Sequence, residues 1–280
     1  MQAVLITGAS RGIGRVCVRA LEQKGFFVFA GVRSQADAEE LQQNAGPELR
    51  PVILDITKES TIQAAYEQVA DTVGDAGLYG LVNNAGILIS APVECVTLAT
   101  LREQFEVNVV GQVAVTQAFL PLIRAGGGRI VMLSSIAGFL TLPYTGVYCA
   151  SKFALEALSG ALRMELARWR IPVSLIQPPA IKTELWDTAL ERAPADVTED
   201  QCNALHKPFI AIQRQRILRE MRTGIPPQRV ARAVIHALTA KRPRVRYGLG
   251  LDAMLARIGF FLPARVLDRY LMWRFGLYRQ

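Results

Sequence analysis

The 280 residues, 51% hydrophobic and 20% charged, are enough for one large domain with a sizeable core, and this balance excludes a disordered or collagen-like chain. Of the net charge of +8, residues 241–280 supply +7, with nine Arg/Lys against Asp252 and Asp268, so the remainder is near neutral and no nucleic-acid partner is expected. Cys17, Cys95, Cys149 and Cys202 form no C-x-x-C pair, the pattern of reduced thiols in a cytoplasmic protein, and with only His206 and His236 no metal site is expected.

The apolar run over residues 4–7 predicts a first strand. No basic segment leading into an apolar stretch precedes it, so no signal peptide is expected. Residues 12–24 follow as a helix with Ile13, Val16, Cys17, Ala20 and Leu21 on one face. Between strand and helix, Gly8, Gly12 and Gly14 are spaced G-x-x-x-G-x-G, with Ala9, Ser10, Arg11 and Ile13 between them. Glycine permits a sharp turn and close backbone approach, and the helix N-terminus offers free N–H groups to a pyrophosphate. The second strand, over 27–31, runs into Val32-Arg33. A site for NAD usually places an acid there to hold the ribose 2′-hydroxyl, whereas a 2′-phosphate calls for Arg. Arg33, with Arg11, therefore favours NADP(H), with NAD(H) as the alternative.

A third strand at 52–54 ends at Asp55, placed to meet an adenine, and a helix covers 62–73. A fourth strand at 81–82 runs into Asn83-Asn84-Ala85-Gly86, whose amides can bridge neighbouring strand ends. A long helix over 98–123 precedes a fifth strand at 130–133. Residues 130–151 carry no charge, which superficially suggests a membrane span, but Ser134, Ser135, Gly138, Thr141, Pro143 and Gly146 favour a buried strand followed by a loop. A helix over 148–168, a strand at 173–176, a helix over 227–239 and a strand near 244–247 complete the alternation. Short apolar strands alternating with helices predict a single-domain α/β fold of Rossmann type, a doubly wound parallel sheet over residues 1–248, with ligands at the carboxyl ends of the strands.

Tyr148 and Lys152 stand four apart on one helical face, where an ammonium would favour the phenolate over its ordinary pKa near ~10. Ser135 follows the fifth strand, within reach of a substrate oxygen beside Tyr148. The glycine loop, Asn83–Gly86, Asn108, Ser135 and Tyr148-Cys149-Ala150-Ser151-Lys152, in this order, resemble the short-chain dehydrogenase/reductase family, and the resemblance spans roughly residues 3–185. It implies Tyr148 as general acid/base, Lys152 as the group that lowers its pKa and holds the nicotinamide ribose, Ser135 as the carbonyl-polarising donor, and Asn108 as holder of a water that relays protons to Lys152. The cofactor contacts expected are Gly8, Ser10, Arg11, Gly12, Ile13, Gly14, Arg33, Asp55, Asn83, Ala85, Gly86, Tyr148, Lys152, Pro178, Ile181 and Thr183. The family usually has Pro-Gly where this chain reads Pro178-Pro179, which puts that loop's geometry in question.

Wording such as Leu81–Ile87 and Phe153–Glu156 is similar to the retinol, hydroxysteroid and 3-hydroxybutyrate dehydrogenase branch, which implies a lipophilic carbonyl or secondary alcohol. Residues 185–225 fall where the family keeps a substrate lid. The extension over 249–280 is basic and amphipathic, and either contacts a membrane surface, covers the mouth of an apolar pocket, or packs on the core or a second subunit. The resemblance also implies a homo-oligomer, dimer or tetramer, through the helices that hold Asn108 and Tyr148. Two further readings stand beside an NADP(H) enzyme: an NAD-linked dehydrogenase of a sterol, retinoid or hydroxy acid, and a dinucleotide-binding sensor without turnover.

Overall fold

The computed structural model describes residues 2–43, 45–192, 206, 211, 214, 215 and 217–277. Its strands are β1 (Ala3–Ile6), β2 (Phe27–Val32), β3 (Leu49–Ile53), β4 (Gly80–Asn83), β5 (Arg129–Leu133), β6 (Val173–Gln177) and β7 (Arg246–Gly248). They form one wholly parallel sheet in the order β3-β2-β1-β4-β5-β6-β7, the doubly wound architecture that the alternation predicts. The helices are α1 (Gly12–Glu22), α2 (Gln35–Gln43), α3 (Glu59–Val73), α4 (Leu98–Phe105), α5 (Gly111–Ala125), α6 (Gly146–Glu165), α7 (Leu185–Arg192), α8 (Gln228–Thr239), α9 (Gly250–Gly259) and α10 (Ala264–Arg274).

Successive strand residues face opposite sides of the sheet, so both layers read apolar. Val4 and Ile6 pack with Val18 and Leu21 of α1 and Val230 and Val234 of α8. Leu5 and Phe29 pack on the other side with Ile62 and Val69 of α3, Phe119 and Ile123 of α5, and Leu155 of α6. Each fully buried side chain of this size contributes roughly 1.5–3 kcal/mol. Such packing explains the stretch Leu98–Ala125, which by length and composition could cross a membrane but has half of its apolar window buried inside the protein.

β7 begins two residues later than expected. Both main-chain groups of Arg244 are taken by side chains: its N–H by the Tyr247 hydroxyl at 3.0 Å and its carbonyl by Ser174 Oγ at 2.8 Å. Ladder pairing therefore starts at Leu175↔Arg246. The expectation of four reduced thiols also needs correction. Cys17 and Cys149 are free and buried, but Cys95 is disulfide-bonded. Cys95 also groups with Glu94 and His206, a pair joined by a hydrogen bond, in an arrangement that could hold a metal only if Cys95 were a free thiolate.

Of the expected lid over 185–225, α7 and the helical residues 217–223 are described, and most of 193–216 lies outside the described residues. The C-terminal helices α9 and α10 fold back onto the loop after β5, where Leu140, Ala256, Leu271 and Phe275 form a small third core. The tail thus packs on the protein while its outer face stays exposed, with Phe261 80% and Trp273 69% accessible.

Candidate active site

The strand order reverses at β1, which leaves a crevice above the carboxyl ends of β1 and β4. Gly8 (φ 64°) and Gly12 (φ 56°) turn the chain there in the left-handed region that glycine enters freely. A Cβ on Gly14 would lie 2.2 Å from the Gly8 carbonyl, so this glycine seats α1 against the loop and lines neither of the two cavities described below. No side chain caps α1, and its leading N–H groups stay open for an anion. The adjoining cavity of about 550 Å³ is lined by Gly8, Ser10, Arg11, Gly12, Ile13, Arg33, Asp55, Ala85 and Gly86. Arg11 and Arg33 are exposed at its rim. Burial pulls the Asp55 carboxyl upward, but two hydrogen bonds from Thr57 and the charges of Lys58 and Arg33 outweigh it and hold the group below its ordinary value.

The two asparagines of Asn83–Gly86 divide the work. Asn83 is fully buried, donates to Thr116 Oγ1 at 2.7 Å and lines neither cavity. Asn84 makes the bridge: its Nδ2 donates to the carbonyls of Thr7 and Gly8, both at 2.9 Å, and it lines the cleft. Thr7 Oγ1 accepts the N–H groups of Asn84 and Ala85, each at 3.0 Å.

Asn108 sits on a single π-helical turn, Glu106–Val110, between α4 and α5. Its Oδ1 accepts from Ile87 N–H at 2.9 Å, and its Nδ2 donates to the Ile87 carbonyl at 3.0 Å and Ser151 Oγ at 3.1 Å. The side chain lines neither cavity and ties the Ala85–Ile89 segment to α6. Gln104 and Gln112, one turn either side, grip the same segment at Ile87, Ile89 and Ala85. Gln104 and Gln112 escaped the sequence reading. The visible signal was polar residues at spacing four on an apolar helix, the periodicity of one buried face.

A second cavity of about 740 Å³ holds Ser135, Tyr148 and Lys152, and shares Ile13, Asn84, Gly86 and Thr183 with the first, so the two form one cleft. Ser135 follows β5 in extended conformation, where its Oγ accepts from Ala137 N–H at 3.2 Å and hydrogen-bonds Tyr148. Lys152 is buried, and its Nζ donates to the Leu133 carbonyl at 2.7 Å and lies 5.8 Å from the Tyr148 ring centre. Burial lowers the Lys152 ammonium to about 8, opposed by the Glu156 carboxylate. The expected depression of Tyr148 by Lys152 is not seen: burial pushes the phenol above its ordinary value, against the pull of the Ser135 hydrogen bond.

Pro178, Ile181 and Thr183 line this end of the cleft. The Pro178-Pro179 loop is held at both ends, by Ile136 N–H on the Pro178 carbonyl at 3.0 Å and by Ile225 N–H on the Ala180 carbonyl at 3.0 Å. The far wall is apolar and comes from distant segments, with Leu142, Trp186, Leu255, Leu271 and Phe275 among its residues.

A parallel doubly wound sheet with a glycine loop at its switch point and a Ser-Tyr-Lys cluster in the same cleft defines a nucleotide-dependent oxidoreductase. The chain belongs to the short-chain dehydrogenase family, whose profile, described as short chain dehydrogenase, matches residues 2–193. It is 37% identical to retinol dehydrogenase 5 of Mus musculus over 96% of this chain and 87% of that protein. It is 36% identical to 17-beta-hydroxysteroid dehydrogenase type 6 of Bos taurus, over 94% of this chain and 84% of that one. Among solved structures it resembles a short chain dehydrogenase from Burkholderia cenocepacia in complex with NADP, with a TM-score of 0.74, 26% identity and coverage of 97% and 99%. It is thus an oxidoreductase acting on CH–OH groups, in the branch that includes retinol and hydroxysteroid dehydrogenases.

Proposed function

We propose that this enzyme moves a hydride between NADP(H) and the carbonyl or secondary alcohol carbon of a lipophilic substrate of steroid, retinoid or fatty type. The observation that carries this reading is the junction of the two cavities, where Ser135, Tyr148 and Lys152 stand between a phosphate-binding loop and an apolar chamber. The cleft suits a dinucleotide. The uncapped N-terminus of α1 and the glycine loop suit its pyrophosphate, Asp55 its adenine end, Arg11 and Arg33 a 2′-phosphate, and Pro178, Ile181 and Thr183 the nicotinamide end. When bound, this cofactor supplies or accepts the hydride.

The chain's own residues handle the oxygen and the proton. Ser135 Oγ donates to the substrate oxygen as charge develops on it. Tyr148, neutral at ordinary pH because its burial raises the phenol, gives its proton to that oxygen in reduction and takes it back in oxidation. Lys152, fixed by the Leu133 carbonyl, keeps a positive charge beside the phenol and the ribose site. An NAD-linked enzyme would want an acid where Val32 stands. The test is turnover of retinaldehyde, a ketosteroid and their alcohols with each cofactor. Preference for the phosphorylated cofactor on a lipophilic substrate supports the reading, and preference for NAD(H) sinks it.

The tail supports peripheral membrane contact, since Phe260, Phe261, Leu262 and Trp273 are exposed amid the basic residues of the C-terminus. Phe261→Asp should reduce co-sedimentation with anionic vesicles and leave turnover of a water-soluble ketone intact; equal sedimentation would remove this part. Exposed Val110, Phe153, Leu158 and Met164, on the helices that hold Asn108 and Tyr148, support a homo-oligomer, which sedimentation velocity would test.

A further inference from the structure

Gln177 ends β6 with 1% of its surface exposed, and three bonds converge on it. Its side-chain Nε2 donates to Glu156 Oε1 at 2.8 Å, its Oε1 accepts from Arg257 at 2.6 Å, and its main-chain carbonyl accepts Leu249 N–H at 3.3 Å. Glu156 lies on α6 one turn beyond Lys152 and two beyond Tyr148. Its other oxygen accepts from Arg246 Nε of β7 at 3.0 Å. Arg257 belongs to α9, with its guanidinium 5.8 Å from the Phe139 ring centre. Neighbouring Leu255, Ala256 and Ile258 wall the large cavity.

An amide has one donating and one accepting end. The carboxylate demands the NH₂ and the guanidinium demands the carbonyl, so opposite charges fix the orientation of Gln177. Both bonds involve an ion, and such bonds are the stronger kind. A buried carboxylate is costly unless its oxygens are satisfied, and here each has a donor. The chain Glu156–Gln177–Arg257 thereby joins residues that are far apart in sequence: the helix bearing Tyr148 and Lys152, and the helix that covers the substrate chamber.

We infer that Gln177 is a positioning residue that latches the C-terminal cover α9 to the helix carrying Tyr148 and Lys152, so that seating a large substrate under the cover and placing the proton-transfer groups are one structural event. This rests on the reading that the larger cavity is the substrate site. The latch acts on the part of the substrate that reaches α9; a small ketone sits at Ser135 and Tyr148 alone and does not depend on it.

The test uses the full chain and the variants Arg257→Met, Gln177→Leu and Arg257→Lys. Methionine keeps an apolar stem against Phe139 without the donor, and Arg257 is exposed enough for the fold to survive its loss. Amide hydrogen exchange in residues 250–259 and 146–156 reads the latch without turnover. Arg257→Met is expected to speed exchange in both segments by about tenfold, the size of one lost hydrogen bond to a charged group. Gln177→Leu should do the same, and Arg257→Lys should restore most of the protection. In kinetics, KM for retinaldehyde should rise about tenfold in Arg257→Met, while KM and kcat for cyclohexanone stay at the wild-type values. Unchanged exchange in 146–156, failure of lysine to rescue, or equal losses on both substrates would overturn the latch. If wild type turns over neither substrate, the functional reading fails, and the exchange result alone decides the latch.

Discussion

The two ends of the cleft are built in different ways. The cofactor end is made largely of main chain and of residues close in sequence: the loop over 8–14, Arg33 and Asp55 at neighbouring strand ends, and the segment over 84–86 beside them. The substrate end is made of side chains from the loop after β5, α7, residues 217–223 and the two C-terminal helices, segments spread over more than a hundred residues. A pyrophosphate is recognised by N–H groups that any sequence with the right turns presents, so that end is dictated by backbone geometry. A lipophilic body is recognised by shape, which depends on which side chains meet. The junction of the two holds Ser135, Tyr148 and Lys152, and there the chemistry is common to both.

The sharpest way to break the comparison is at the junction. Lys152→Met removes the ammonium beside the phenol and should lower kcat by about 10²-fold or more, with little effect on folding because the stem length is kept. In the wild type the same residue sets a basic limb. Burial lowers Lys152 to about 8, so its charge is present below that pH and lost above it, and kcat/KM should fall as pH rises through about 8. A flat profile to higher pH would remove Lys152 from the mechanism.

At the cofactor end, Arg33→Glu replaces a cation with an acid at the tip of β2. Affinity for NADPH should fall about 10- to 100-fold, as for one or two charge-assisted bonds, while NADH is unaffected or tighter. Loss of both in parallel would mean that Arg33 shapes the loop and does not read the phosphate. The smallest effect on chemistry and the clearest on stability is expected from Asn108→Ala. This change leaves the Ile87 main chain without its buried partners and should destabilise the fold by about 2–4 kcal/mol in chemical denaturation, with the cofactor preference unchanged.

Legibility in the sequence follows the same division. The glycine loop and Tyr148-x-x-x-Lys152 were readable because their spacing is local, and the structure brings them into one cleft. Asn83 and Asn84 were not separable, because alternation along a strand sends neighbours to opposite faces and the sequence does not say which faces the ligand. The polar ladder Gln104–Asn108–Gln112 was hidden in an apolar helix, since its purpose lies in main-chain groups of another segment. The sign of the Tyr148 shift depends on burial, which outweighs the Ser135 hydrogen bond and has no sequence signature. The role of the tail required the fold, because its partners Phe139, Leu140 and Gln177 precede it by eighty residues or more.

We propose that the Tyr148 hydroxyl moves the proton and that NADP(H) binding does not require it. The most direct test measures NADPH binding by fluorescence and NADPH oxidation with a lipophilic ketone, in wild type and Tyr148→Phe. The account predicts unchanged binding and a loss of turnover of about 10³-fold or more. Turnover in the variant within about tenfold of wild type, with binding intact, would contradict it, since general acid–base catalysis is worth more than that.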